Sequence, residues 1–375
     1  MMKKLFASPK QNNLLMIPVT KPFLPPKEEV MQLLDGVWQR NWLTNNGPLV
    51  NELELELKKY LKLKHLLYVS NGTVALQIAL KALNITKEVI TTPFSYVATT
   101  SSILWSGCTP VFVDIDPDTF TIDPAKIESA ITPGTEAILA THCFGNPCDV
   151  EAIGEIARKH NLKVIYDAAH CFGTTYKGKN ILEWGDISAI SFHATKMYHT
   201  VEGGAVVAQD AELIRKMAYM RNFGHDGPYK YNGIGINGKN SEFHAAMGLA
   251  NLKYFKQVLL ERQKLSHNYD ELLINLRHQK QLLPSDTNYN YSYYPILLEN
   301  EEILLAIKEE LETHEIFPRR YFFPLLSDLD YIENGVELPV AKDVSKRILC
   351  LPLYNGLSKE EQKMIARLML RRQNS

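Results

Sequence analysis

Between residues 65 and 210, short apolar runs alternate with helix-forming stretches, and this alternation constrains the fold more than any other feature of the sequence. Such a repeat predicts a mostly parallel sheet covered by helices on both faces. The runs read as strands at residues 65–70, 88–92, 109–115, 136–142, 162–167 and 187–192, with another after Gly203-Gly204. Open sheets of this class hold ligands outside the carboxyl ends of their strands. The residues at those ends are therefore where chemistry is sought.

The rest of the chain frames the sheet. Its 375 residues are enough for two domains. A proline-rich lead-in at 14–30 is followed by predicted helices at 27–40 and 49–62. Residues 223–240 are rich in Gly and Asn and lack apolar periodicity, and a loop of that length is usually functional. A long helix is predicted at 241–276. We place the domain boundary within it, giving a large domain at 1–254 and a small α+β domain at 255–375.

With 22% charged residues and a net charge of −1, nothing points to nucleic acid or a membrane surface. No apolar run has the length of a membrane span. The opening Met-Met-Lys-Lys-Leu-Phe-Ala runs into polar residues too soon for a secretory leader and reads as a short lead. The five cysteines form neither a CxxC pair nor a zinc pattern, so free thiols in the cytoplasm are expected.

Four strand ends carry reactive or polar groups in chain order. Asn71-Gly72-Thr73 precedes a helix, whose free N–H groups and dipole suit an anion. Phe94 and Tyr96 follow the next strand, and either ring could stack on a flat cofactor. Asp167, with His170 beyond it, ends an apolar run, where a carboxylate needs a partner such as a protonated pyridine. Ser191 and Lys196 close the 187–192 strand, where an amine can form a Schiff base and a hydroxyl can hold a phosphate. Each has a plainer reading on its own: an N-cap, a core ring, a turn-capping aspartate, a solvated lysine. Together they supply what pyridoxal 5'-phosphate (PLP) requires, and no GxGxxG, P-loop or zinc signature competes.

The stretches Trp42-Leu-Thr-Asn-Asn-Gly-Pro48, Ser70-Asn-Gly-Thr-Val-Ala-Leu76, Pro93-Phe-Ser-Tyr-Val-Ala-Thr99, Asp167-Ala-Ala-His170, Ser191-Phe-His-Ala-Thr-Lys196, Glu202-Gly-Gly-Ala205, Gly235-Ile-Asn237 and Leu351-Pro352 run across nearly the whole chain. In that order they resemble the DegT/DnrJ/EryC1/StrS family of sugar aminotransferases. The resemblance implies the fold-type I PLP architecture, an α/β fold with a smaller α+β C-terminal domain. It implies that Lys196 carries the cofactor as a Schiff base and shuttles protons, that Asp167 pairs with the pyridine nitrogen, and that Tyr96 stacks on the ring. His170 stands where many members have glutamine, near the phenolic oxygen, so its proton state becomes a variable. Gly72, Thr73 and Ser191 would hold the phosphate. Asn237 would cross a dimer interface to a neighbour's phosphate, making a homodimer the smallest active unit. Trp42 and Thr44 in one loop, and His225 and Tyr231 in another, would meet the sugar nucleotide.

The implied reaction takes an amino group from L-glutamate, holds it as pyridoxamine phosphate, and passes it to a nucleotide-linked ketosugar. The pattern around Lys196 resembles members acting at C4 of dTDP-4-keto-6-deoxy-D-glucose to give dTDP-4-amino-4,6-dideoxy-D-glucose, for surface polysaccharide or glycoside biosynthesis. The galactose epimer, amination at C3, and UDP- or GDP-ketosugars stay open. Two rivals are a C3-dehydrase, which would carry histidine in place of Lys196, and a non-catalytic regulator on the same fold.

Overall fold

The computed structural model describes residues 16–332 and 335–373; the short lead predicted at the N-terminus lies outside them. A seven-stranded sheet forms the centre. Its strands are β1 (Leu67–Val69), β2 (Glu88–Thr91), β3 (Thr109–Phe112), β4 (Thr135–Thr141), β5 (Lys163–Asp167), β6 (Ile187–Ser191) and β7 (Gly204–Val207). They lie in the order β1-β7-β6-β5-β4-β2-β3. Only β7 runs antiparallel to its neighbours. The β2, β4, β5 and β6 segments are almost wholly buried, which is why they read as continuous apolar runs rather than alternating ones. Apolar side chains pack on both faces of the sheet, in two separate clusters.

The register brings the candidate strand ends together. Gly204 lies opposite Val69 on one side and Ser191 on the other. A Cβ there would stand 2.5 Å from the carbonyl carbon of Asn71, so only glycine lets the turn after β1 close over β7. Asp167 lies opposite Ala189 and Thr141.

A second core surrounds a three-stranded antiparallel sheet of His278–Lys280, Tyr294–Leu298 and Ile348–Leu351, covered by the helices Glu301–Thr313 and Lys359–Gln373. The helix Glu242–Leu272 joins the cores: Ala245, Leu249 and Phe255 pack in the large one, and Leu265 and Tyr269 in the small one. Ile17, from the lead-in, also packs in the small core, beside Ile316. Arg262, buried in the same helix, donates to the carbonyls of Tyr291 (2.9 Å), Ser292 and Leu353 (2.9 Å). This pins the segment that delivers Tyr293 to the sheet.

Two local expectations change. The run at 109–115 is a strand only over Thr109–Phe112, and Asp114 beyond it takes another task. Its carboxylate accepts from the N–H groups of Val340 (3.0 Å) and Ala341 (2.8 Å). Those groups open the helix Pro339–Arg347, which the sequence reading left out. The helix is short and polar, and a carboxylate 226 residues away caps it.

Candidate active site

The four strand ends meet in a cavity of about 550 Å³ lined by Gly72, Thr73, Tyr96, Asp167, His170, Ser191 and Lys196. Each is placed by its element. The helix Gly72–Ala82 starts directly after β1, and Asn71 Oδ1 caps it by accepting from Val74 N–H at 2.8 Å. N-capping and anion binding are thus not alternatives here. The cap serves Val74, while the Gly72 and Thr73 N–H groups lie in the first turn, where no intrahelical acceptor exists. A Cβ on Gly72 would come within 3.0 Å of Ser191 Cβ, so the turn and the serine face each other closely.

The two aromatic candidates after β2 separate. Phe94 is fully buried and packs against Phe144 and Phe322. Tyr96 is 58% exposed and faces the cavity. The next helix supplies Thr99, which the sequence reading missed as a site residue. Its hydroxyl donates to Asp167 Oδ2 at 2.7 Å, and Ala169 N–H donates to Oδ1 at 3.1 Å. Burial raises the Asp167 pKa, and these two donors hold it down in part. A carboxylate in that setting gains from a cationic partner.

His170 is almost fully buried, and its Nδ1 accepts from Phe144 N–H at 3.2 Å. Burial, and then the Lys196 charge, hold its pKa well below the usual range. The ring is therefore neutral and carries its proton on Nε2, an assignment that follows from this hydrogen bond. Asn290 Nδ2 (2.7 Å) and Ser292 Oγ donate to the His170 carbonyl, and Tyr293 stands 4.8 Å from the ring. Burial also lowers the Lys196 pKa, opposed by Tyr321, Asp167 and Tyr96. This enlarges the fraction of neutral, nucleophilic amine.

Segments flanking the small sheet close the cavity with Tyr293, Arg319, Tyr321 and Phe322, and the three rings cluster with Phe94 and Phe144. None was anticipated. The available signal was the density of rings and cations in residues 289–294 and 319–323.

The other candidates lie outside the lining. Asn237 is exposed and accepts from Lys239 Nζ at 2.9 Å. Trp42 is about half exposed and donates to the Thr44 carbonyl at 2.6 Å. His225 and Tyr231 pair across a bridge, with rings 4.7 Å apart.

The lining fits PLP. Glycines let the Gly72 turn, Ser191 and β7 close together, which leaves N–H and hydroxyl donors for a phosphate. The Asp167 carboxylate matches a pyridinium, and the Lys196 amine matches an aldehyde.

Known proteins resemble the chain over nearly its whole length. The model of the DegT/DnrJ/EryC1/StrS aminotransferase family matches residues 26–370. The dTDP-4-amino-4,6-dideoxy-D-glucose transaminase of Shigella dysenteriae is 44% identical over 348 residues, covering 91% of this chain and 95% of that protein. Its Escherichia coli namesake is 42% identical, covering 94% and 98%. The crystal structure of DesI in the presence of its TDP-sugar product superposes with a TM-score of 0.91 at 31% identity, covering 95% of this chain and 92% of that one. With its fold, its cavity and these likenesses in agreement, the chain belongs to the DegT/DnrJ/EryC1/StrS aminotransferases, a PLP-dependent family acting on nucleotide sugars.

Proposed function

We propose that the chain binds PLP and moves the amino group of L-glutamate to C4 of dTDP-4-keto-6-deoxy-D-glucose, giving dTDP-4-amino-4,6-dideoxy-D-glucose. The observation that carries this reading is the convergence of Gly72, Thr73, Asp167, Ser191 and Lys196 on one cavity. The two transaminases of that name supply the choice of sugar.

Lys196 is proposed to hold the cofactor through its amine, and Gly72, Thr73 and Ser191 to hold its phosphate. Bound there, PLP supplies a sink for the electron pair left when a C–H bond next to nitrogen is broken. Once displaced by the donor's amine, Lys196 Nζ takes the proton from the donor's α-carbon and later returns one to the sugar carbon. Its burial favours the neutral amine that this task needs. The Asp167 carboxylate, oriented by Thr99 and Ala169, keeps a positive ring nitrogen in place. His170 offers a fixed Nε2–H to the phenolic oxygen, the bond an amide would make. Tyr96 provides the stacking face.

We further propose a homodimer, with Asn237 reaching a neighbour's phosphate; its exposure away from the cavity lining supports this. The loops carrying Trp42, Thr44, His225 and Tyr231 are assigned to the sugar nucleotide on the same ground. We keep the division near residue 255, where the long helix passes between cores. No helix among the described residues is long and apolar enough to cross a membrane. The free, buried cysteines support a cytoplasmic location.

The test is a half-reaction. PLP-loaded protein is mixed with L-glutamate, and then with dTDP-4-keto-6-deoxy-D-glucose. Bleaching of the visible band by glutamate and its return with the sugar support the reading. Bleaching without return moves the nucleotide or the keto position. A band indifferent to glutamate refutes the donor.

A further inference from the structure

Three hydroxyls stand in series behind the Asp167 carboxylate. Thr99 Oγ1 lies 2.7 Å from Asp167 Oδ2, Ser95 Oγ lies 2.7 Å from Thr99 Oγ1, and Thr141 Oγ1 lies 3.0 Å from Ser95 Oγ. All three residues are buried. They come from three parts of the large core: Ser95 from the turn after β2, Thr99 from the helix Val97–Trp105, and Thr141 from the end of β4, opposite Asp167 in the sheet register. Ser95 and Thr141 also line the cavity.

Donor counting fixes which way the protons point. A hydroxyl has one proton to give, and an ionised carboxylate only accepts. The Thr99 proton therefore goes to Asp167. Thr99 then accepts from Ser95, and Ser95, its proton spent, accepts from Thr141. Every O–H in the series points toward the carboxylate. Reversing the series would need a proton on Asp167 and would leave the Thr141 proton without an acceptor among the described residues. The arrangement is thus matched to the charged form of Asp167. Hydrogen bonds aligned in this way polarise one another, and more so where the dielectric is low. Burial disfavours the charge on Asp167, with Thr99 and Ala169 opposing it directly; Ser95 and Thr141 reinforce Thr99 from behind.

We propose that Ser95 and Thr141 are positioning residues for aminotransfer, which act through Thr99 to hold Asp167 ionised and aimed at the pyridine nitrogen of PLP. This rests on the reading of Asp167 above. A charged Asp167 keeps the ring nitrogen positive, and the ring is a deeper electron sink for it. A plain packing role makes the opposite forecast. Valine keeps the shape of threonine, so a trio that only fills space would lose nothing at the ring when the Thr141 hydroxyl is removed.

The test reads the ring nitrogen itself. PLP with an isotopically labelled ring nitrogen is loaded into wild type, Thr141→Val, Ser95→Ala and Thr141→Ser, and its NMR signal is placed between those of the protonated and unprotonated free cofactor. Wild type and Thr141→Ser are expected at the protonated end, with Thr141→Val and Ser95→Ala shifted toward the other. The same two variants lose roughly fivefold in the rate of the glutamate half-reaction at unchanged half-saturating glutamate, the worth of one neutral hydrogen bond. Melting temperatures establish that the variants are folded, and either Thr141→Val or Ser95→Ala suffices for the comparison. Ring signals identical to wild type overturn the proposal, as does a Thr141→Ser that behaves like Thr141→Val. Should the variants not load, the carboxyl carbon signal of Asp167 is titrated in the cofactor-free proteins, where Lys196, Cys143 and Cys171 are the titratable groups facing it. A midpoint higher in the variants than in wild type supports the proposal, and an equal midpoint overturns it. A protonated ring nitrogen in wild type beside unshifted variants ends this proposal alone. An unprotonated ring nitrogen in wild type ends the reading of Asp167 as well.

Discussion

The large-core wall of the cavity and the small-core wall differ in how the chain builds them. On the first, Asp167 and Ser191 end buried strands, while the Gly72 turn and Tyr96 lie immediately beyond two others. Sheet pairing sets their spacing, so the wall is rigid for the same reason that the sheet is stable. On the second, Tyr293, Arg319, Tyr321 and Phe322 come from connections around a smaller sheet. Their places depend on Arg262 holding Tyr291 and Ser292, on the Arg319–Cys350 bridge, and on Phe322 packing against Phe94 and Phe144. One wall offers chemistry on a scaffold; the other offers shape and a cation on side-chain packing.

The largest expected effect lies on the first wall. Lys196→Ala is expected to lose the visible absorbance after dialysis and at least about 10⁴-fold in turnover, because it removes both the covalent hold and the proton carrier. A variant that stays yellow and active would place the chemistry elsewhere. Asp167→Asn keeps the cofactor and loses about 10²-fold in turnover, read by the same glutamate assay, since an amide does not stabilise a positive ring nitrogen. Unchanged turnover removes Asp167 from the reaction.

On the second wall the expected losses are in stability. Phe322→Ala opens a space among Phe94, Phe144 and His170 and is expected to cost about 3 kcal/mol, measured by urea unfolding. A cost near zero would mean that the two walls are not packed as one unit. His170→Gln sharpens the comparison where the walls touch. With Nε2–H already fixed by Phe144, an amide donor is expected to keep turnover within about threefold and to leave the pH profile unchanged between 6 and 8. A new ionisation in the wild-type profile that the variant lacks would show His170 titrating.

A further effect is on stability against pH. Burial holds His142 at about 3 and His170 well below its ordinary range. The unfolded chain takes up protons near 6.5 and the folded chain does not. Stability is therefore complete above about 6.5 and is lost as the pH falls toward 3. Melting temperatures from pH 7.5 to 5 should decline, and less steeply in His170→Gln. An equal slope in the two proteins would break the link to His170.

Much of the first wall was legible because it is local. A buried strand followed by a small polar turn, a ring, an aspartate or a lysine is a pattern contained in six or eight residues. What such windows lacked was the choice between readings. Phe94 and Tyr96 are two residues apart, and only packing sends one inward and leaves the other at the cavity. The helix at Pro339–Arg347 was illegible because its cap, Asp114, is 227 residues away in the chain. Thr99 was illegible because its partner is 68 residues away.

The amino-acid sequence alone determined the parallel architecture, the order of the strand ends and the presence of a lysine, a carboxylate and an anion turn, because periodicity and turn chemistry act over short distances. The tertiary structure decided which strand ends meet. The sheet order sets β7 between β1 and β6, and a glycine at 204 lets the Asn71 turn close on Ser191. It also decided that His170 is neutral with its proton on Nε2, and that Arg319 faces the cavity while Arg320 is engaged by Glu301. Those outcomes depend on burial and on partners distant in the chain, and no local window contains either.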